Sequence, residues 1–222
     1  MRIALVGGTG EIGEGLALRL GRDTAFELTI GSRDERKASD CADAYCRELR
    51  RHGVDRSIDA ATNELAAEEA MVVVLSVPPY YVTETVAAIE PALDSETVLV
   101  SPAVGMSGDD DGVRYNPPPA GSVTELVVET APDDVPVVGA FTNIPGARIA
   151  DLDEPIDIDT PIVGDSSDAK ETVFDVVSEL RGIRAVDAGP LSNAAAVEAL
   201  TPFLITLAQQ NEGFADLGIK FV

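Results

Sequence analysis

Three glycines, Gly8, Gly10 and Gly13, follow directly on the apolar run Ile3 to Val6. Their spacing is G-x-G-x-x-G, and a helical pattern of Ile12, Leu16 and Leu20 begins among them. Strand, tight turn and helix in that order open a dinucleotide-binding unit. Each glycine has its own duty in this reading. Gly8 allows the turn, Gly10 lets backbone approach a pyrophosphate, and Gly13 lets the helix pack on the strand. The helix N-terminus then faces the anion, with Thr9, Glu11 and Ile12 in the cradling turn. A turn without a ligand has the same glycines, but the strand before them and the helix after them favour a nucleotide.

The end of the second strand decides which nucleotide. Residues 26–30 read as that strand, and Gly31-Ser32-Arg33 follows, with Arg36 and Lys37 beyond. An NAD site places Asp or Glu here to bind the ribose 2′-hydroxyl. This chain instead offers a hydroxyl and cations. Arg33 supplies a planar fork of donors and Lys37 a point charge, which suits a 2′-phosphate and hence NADP. The plainer alternative is an exposed basic turn with Asp34 capping a helix. A net charge of −23, from 39 acidic against 16 basic side chains, makes a cationic cluster at this place hard to assign to chance.

The same charge bears on partners and surroundings. Nucleic acid is excluded as a partner by repulsion. Lysine occurs only at Lys37, Lys170 and Lys220. Such a balance suits a high-salt cytoplasm, where the Debye length falls to about 3 Å at 1 M and self-repulsion is screened. An ordinary acidic protein is the alternative. No apolar run is expected to span a membrane, and the short first one is no signal peptide. Cys41 and Cys46 fit neither a redox nor a zinc spacing and read as packing residues. His52, the one histidine, falls at a helix end and reads as a favourable charge there, not a catalyst.

The chain in order predicts a doubly wound parallel α/β sheet. Residues 34–51 read as a helix, 57–69 as irregular then helical, and 71–75 as a buried strand. That strand ends in Ser76-Val77-Pro78-Pro79, either a rigid wall for a nicotinamide ribose or a simple strand terminator. A helix over 80–89, a strand over 97–100, a helix over 122–129 and a strand over 136–140 follow. Residues 106–122 read as a long polar loop, whose Asp109 to Asp111 lack the spacing of a calcium site. No metal is expected. After an acidic loop at 152–160 come a strand over 161–164, a helix over 167–181 and a strand over 183–187. Residues 190–212 read as the longest helix, with Leu191, Ala195, Val197, Leu200, Leu204 and Leu207 inward and Pro202 kinking it. The apolar tail after Gly213 is expected to dock.

Acid–base chemistry is hard to find. There is no G-x-S-x-G, no zinc pattern and no Tyr-x-x-x-Lys pair. Hydride transfer between two cofactors needs positioning and exclusion of water more than a protein acid.

At this point a family resemblance enters. The opening Gly7 to Leu20, with Ile30-Gly-Ser-Arg33, Ser76-Val-Pro78, Val100-Ser-Pro102 and Asn143-Ile-Pro145 with Ala147-Arg148, resembles the archaeal coenzyme F420-dependent NADP oxidoreductases. So do Asp187-Ala-Gly-Pro-Leu-Ser-Asn193, Glu198-Ala-Leu-Thr-Pro202 and Leu217-Gly-Ile-Lys-Phe221. The resemblance implies a Rossmann domain over 1–140, a small C-terminal α/β domain over 141–222, and a cleft between them for NADP and F420. It implies that Thr9, Ser32, Arg33 and Lys37 hold the 2′-phosphate. It implies that Pro79, Thr83, Met106, Gly146 and Leu217 border NADP, and that Asn143, Ile144 and Pro145 lie where nicotinamide meets deazaflavin. Reversible hydride transfer, a homodimer and an archaeal source go with it, while the cytoplasmic location is expected from the lack of a spanning run or signal peptide.

Two departures stand out. Family members often carry His-Thr where this chain has Thr142-Asn143. They are also commonly basic in the loop that here is 107–122, where only Arg114 accompanies the acids. Rival readings are an NADPH-dependent reductase of a flavin, quinone or ferric chelate, and a non-catalytic NADP sensor.

Overall fold

The computed structural model describes residues 1–109 and 112–222. Five parallel strands and their crossovers come first: β1 (Arg2–Val6), β2 (Glu27–Ser32), β3 (Asp59–Thr62), β4 (Val72–Leu75) and β5 (Val98–Ser101). With β8 (Val137–Gly139) they form a six-stranded sheet in the order β3-β2-β1-β4-β5-β8. Every pairing in it is parallel. The order reverses between β1 and β4, and ligands of such sheets bind beyond the strand C-termini at that point.

Why these residues make this sheet is clearest in β1. Its side chains alternate between two cores, as a period of two requires. Ile3 and Leu5 join the core under α1 (Glu11–Asp23) and α2 (Glu35–Arg51), with Leu16, Leu20, Ala42 and Leu49. Ala4 and Val6 join the core on the opposite face. There they meet α3 (Asn63–Ala67), α4 (Val82–Ile89) and α5 (Val123–Thr130) through Ala66, Val86 and Val127. Helix ends are set by polar side chains. Asp34 caps α2 by accepting the Arg36 and Lys37 N–H groups, and Ser122 caps α5 by accepting that of Glu125. Arg56 closes α1 by donating to the carbonyls of Gly21 and Thr24 at 3.3 and 2.8 Å.

Residues 106–109 and 112–115 depart from the expected loop. They form an antiparallel hairpin of β6 (Met106–Asp109) and β7 (Gly112–Tyr115). All four residues of β6 are exposed, so no buried face marks it in the sequence. The hairpin is held by a later helix instead. Thr206 Oγ1 donates to the Val113 carbonyl at 2.8 Å. Asp110 and Asp111 lie outside the described residues; Asp109 pairs with Arg114.

Beyond β8, α6 (Gly146–Ala150) leads to β9 (Ile158–Ile162), α7 (Ser167–Ser178) and β10 (Ile183–Asp187). β9 and β10 form a second, parallel pair. It joins the main sheet through one antiparallel bridge between Gly139 and Val163. The main core runs on into this part through Ile144, Ile149, Ile158, Ile162 and Val173. β9 begins earlier than expected and holds Pro161 inside it, opposite Val186. Ile158 and Ala188 make the flanking backbone bonds to the neighbouring strand, so the missing Pro161 N–H is not needed there.

The last helical stretch is not one helix. A 3₁₀ turn at Leu191–Asn193 runs into α8 (Ala194–Glu198), and α9 (Leu200–Gln210) follows. Pro202 is the third residue of α9 and has no N–H to donate to the Glu198 carbonyl, so the break falls at Ala199. The longest helix is α2, with 17 residues. Contrary to the sequence expectation, Leu191–Gln210 taken together is long and apolar enough to cross a membrane by length and composition. Within the fold it is tied down by polar contacts, through Thr206 to β7 and through Glu198 to α5. Glu198 is 1% exposed. Its carboxylate accepts the Val123 and Thr124 N–H groups at 3.0 and 2.9 Å and the Tyr115 hydroxyl at 3.1 Å. Burial raises its pKa, and those donors oppose the rise.

Candidate functional site: a two-chambered cleft

The glycine loop needs its glycines for reasons slightly different from those expected. Gly7, not Gly8, takes the positive φ, at +70°. A Cβ on Gly7 would stand 2.3 Å from Val77 Cγ1. Gly8 answers to close approach, since its Cβ would lie 2.6 Å from the Leu5 carbonyl oxygen. Gly13 packs on Gly8, where a Cβ would be 2.4 Å from its Cα. Gly10 precedes α1 with nothing within 4 Å of where a Cβ would be, so the helix N-terminus is open to a ligand.

Beside this loop lies a cavity of about 230 Å³. Thr9, Gly10, Ser32, Arg33, Lys37, Ser76 and Pro78 line it, together with Asn63, Val77, Tyr81 and Thr85. The strand ends of β1, β2 and β4 bring these residues to one edge. Among the described residues no carboxylate lines the chamber, although the chain carries −23 overall. The Arg33 guanidinium sits over the Tyr81 ring, 5.1 Å from its centre. Asn63 Oδ1 accepts the Gly7 N–H at 3.1 Å and so fixes the glycine turn from α3.

A second cavity, of about 510 Å³, adjoins the first, and Val77 lines both. Glu11, Ile12, Pro79, Met106, Asn143, Ile144, Pro145, Gly146 and Leu217 line it, with a wall from α9 of Leu204, Ile205 and Ala208. The lining is chiefly apolar. Its polar exceptions include Thr142 Oγ1 and Asn143 Oδ1, buried atoms with no partner among the described residues. Buried polar atoms are normally paired, so two orphans on one cavity wall point to a ligand.

The wall segment is shaped by its neighbours. Phe141 sits at φ +62°, and its N–H is taken by Thr160 Oγ1 at 2.9 Å. Asn143 Nδ2 donates to the Asp159 carbonyl at 2.8 Å, and Thr201 Oγ1 donates to that of Thr142 at 2.6 Å. Gly146 opens α6 against α1, where a Cβ would be 2.9 Å from Glu11 Cβ.

Gly8 and Gly13 lie behind the chambers and shape the turn. Thr83 is exposed on α4 and lines neither chamber; Thr85, one helix face away, does. His52 caps the C-terminus of α2, 3.2 Å from Glu48 Oε1. Sequence reasoning did not single out Asn63, Tyr81, Thr85, Thr201 or the α9 wall. Asn63 follows Thr62, a helix-capping signal that could have marked α3 at the cleft; α9 showed its apolar face but not what that face lines.

Comparison with known proteins agrees with this geometry. The family model described as NADP oxidoreductase, coenzyme F420-dependent, matches residues 2–105. The F420-dependent NADP reductase of Methanocaldococcus jannaschii is 36% identical over 93% of this chain and 92% of its own. That of Methanothermobacter marburgensis is 36% identical over 95% and 94%. A solved structure from Arthrobacter sp. FB24, 24% identical, superposes with a TM-score of 0.77 over 100% of this chain and 99% of its own, and shares the fold.

Proposed function

The chain belongs to the coenzyme F420-dependent NADP oxidoreductase family, and on that premise we propose that its two chambers take the two cofactors, NADP along the glycine loop and the deazaflavin of F420 beside the Asn143 wall. The protein is an NADP-dependent oxidoreductase that uses F420. When bound, the cofactors supply the hydride donor and acceptor, in either direction. The one observation that carries the assignment of sites is the junction at Val77: a cationic chamber, with no carboxylate among its described lining residues, adjoins a chiefly apolar one.

The roles of the residues follow from chemistry. Arg33, Lys37, Ser32 and Thr9 bind the 2′-phosphate by charge and hydrogen bonds. Gly10 and the α1 N-terminus accept the pyrophosphate. Pro78 and Pro79 form a stiff wall between the chambers. Asn143, Ile144, Pro145 and Leu217 hold the reacting rings in contact and exclude water. Thr142 and Asn143 stand where relatives often carry His-Thr, so no imidazole lines the larger chamber.

Residues 1–140 act as the nucleotide-binding part and 141–222 close the ring chamber. The acidic surface suits a high-salt archaeal cytoplasm, and a homodimer is the assembly proposed from the family. The test is an absorbance assay in molar KCl with NADPH and oxidised F420. Turnover with F420, and much poorer use of NADH, supports the assignment. NADPH binding with turnover only of flavin, quinone or ferric chelate overturns it.

A further inference from the structure

The C-terminal strap, residues 211–222, is exposed or half-buried along its whole length. Burial therefore does not hold it, and polar anchors do. The chief anchor is one side chain. Asp159, on β9, is fully buried. Its Oδ2 accepts the Phe221 N–H at 2.7 Å and Arg184 Nη2–H at 2.5 Å. Its Oδ1 accepts Arg184 Nε–H at 2.9 Å and lies 3.3 Å from Lys220 Nζ.

The backbone of the same residue is divided between strap and cleft. Ile158 donates its N–H toward β10, to Gly182, so the next residue faces the other edge of β9. There the Asp159 N–H donates to the Ile219 carbonyl at 2.7 Å. Its carbonyl accepts Asn143 Nδ2 at 2.8 Å. Asn143 lines the larger chamber and its buried Oδ1 has no partner among the described residues, and Leu217 of the strap lines that chamber too.

We propose that Asp159 is a positioning residue that latches strap 211–222 across the larger chamber and keeps Asn143 in register with it, so that the strap and the second redox ring's site form together. The proposal rests on the assignment of that chamber to F420. The strap has a hinge and a seat. Gly213 is at φ +87° with open space around it. Gly218 lies so near Ile158 that a Cβ would stand 2.7 Å from its Cγ1. Between them Leu217 is carried over the chamber mouth.

Two variants test the latch. Asp159→Asn keeps size and an acceptor for Phe221 but removes the charge that holds Arg184 and Lys220. Deletion of residues 219–222 leaves Asp159 in place and removes what it holds, so it carries the test should Asp159→Asn not fold. The readouts are amide exchange of the strap in cofactor-free protein, and separate binding constants for NADPH and F420. In Asp159→Asn, strap exchange accelerates about tenfold or more, as expected for loss of local protection. In both variants F420 binding weakens about tenfold and NADPH binding by about threefold or less, because NADPH keeps its proposed anchors in the smaller chamber and only its ring meets Leu217. Unchanged strap exchange in Asp159→Asn, or equal weakening of both cofactors, overturns the proposal. Wild-type protein that binds NADPH but not F420 overturns the cofactor assignment instead, and strap exchange then still judges the latch.

Discussion

Arg19 Nε donates to the Ile149 carbonyl at 2.8 Å, joining the middle of α1 to the far end of α6. The same guanidinium donates to the carbonyls of Arg148 at 3.2 Å, Glu154 at 3.3 Å and Asp151. It is 1% exposed, and burial lowers its pKa. One buried fork thus satisfies the carbonyl end of α6, whose other end, at Gly146, lines the larger chamber. Arg19→Met fills the volume but leaves these carbonyls unpaired. The loss should be about 3 kcal/mol, since each buried unpaired group costs about 1–3 kcal/mol and some regain water. Arg19→Lys should recover little, because an ammonium cannot present the planar fork. Denaturant unfolding in molar KCl measures both; wild-type stability in Arg19→Met would refute the clamp.

The proposed 2′-phosphate site makes Arg33 the discriminator between the two nicotinamide nucleotides. Arg33 lines the smaller chamber and rests on the Tyr81 ring. Arg33→Ala should weaken NADPH by about 10- to 100-fold, the range of a lost charge-assisted bond of about 1.5–3 kcal/mol. NADH, which lacks the 2′-phosphate, should be nearly unaffected. Titration of each nucleotide by fluorescence decides, and equal losses would remove Arg33 from the phosphate site.

Much of this site was legible because its signals are local. The glycine loop, the cations after β2 and the prolines after β4 all stand within a few residues of a buried apolar strand. The pieces that escaped lack such a signal. β3 is Asp-Ala-Ala-Thr, an edge strand with no β-branched apolar run. The exposed β6 offers no alternation, and its partner β7 is held by Thr206, far along the chain. Gly7 and Gly8 could exchange roles in the reading because adjacent glycines leave open which one takes positive φ. Asp159 looked like one of several acids in an acidic loop; only tertiary contact with Arg184 and Phe221 separates it from them.

Gly15 tests how tightly α1 meets α6. Alanine normally favours a helix over glycine by about 1 kcal/mol. Here a Cβ would lie 2.1 Å from Ile149 Cγ2 and 3.1 Å from the Ala150 nitrogen. Overpacking of this kind costs about 1–3 kcal/mol, so Gly15→Ala should destabilise in spite of propensity. Removing the obstructing side chain should reverse part of the effect. In a double-mutant cycle, Gly15→Ala should cost less in an Ile149→Ala background than alone. Additive losses would mean that the two positions do not press on each other.

Asp159 also fixes how the strap should respond to acid. Hydrogen bonds from Arg184, more than any other cause, with further help from Phe221 and Lys220, pull its pKa down from 3.8 to about 2 against the opposing effect of burial. In the unfolded chain the group titrates near its ordinary value, about 3.9. The folded protein thus holds the ionised form over a range where the unfolded chain takes up a proton. The stabilisation is fully present above about pH 4 and is lost as pH falls toward 2. Arg184 and Lys220 face the same carboxylate, and Lys220 also pairs with Asp157. Proteolysis of the strap by pepsin, followed from pH 5 to 2 in molar KCl, should stay slow to about pH 3 in wild type and rise below it. In Asp159→Asn it should be fast throughout and lack that acid step. An identical step in the variant would assign the transition to another acid.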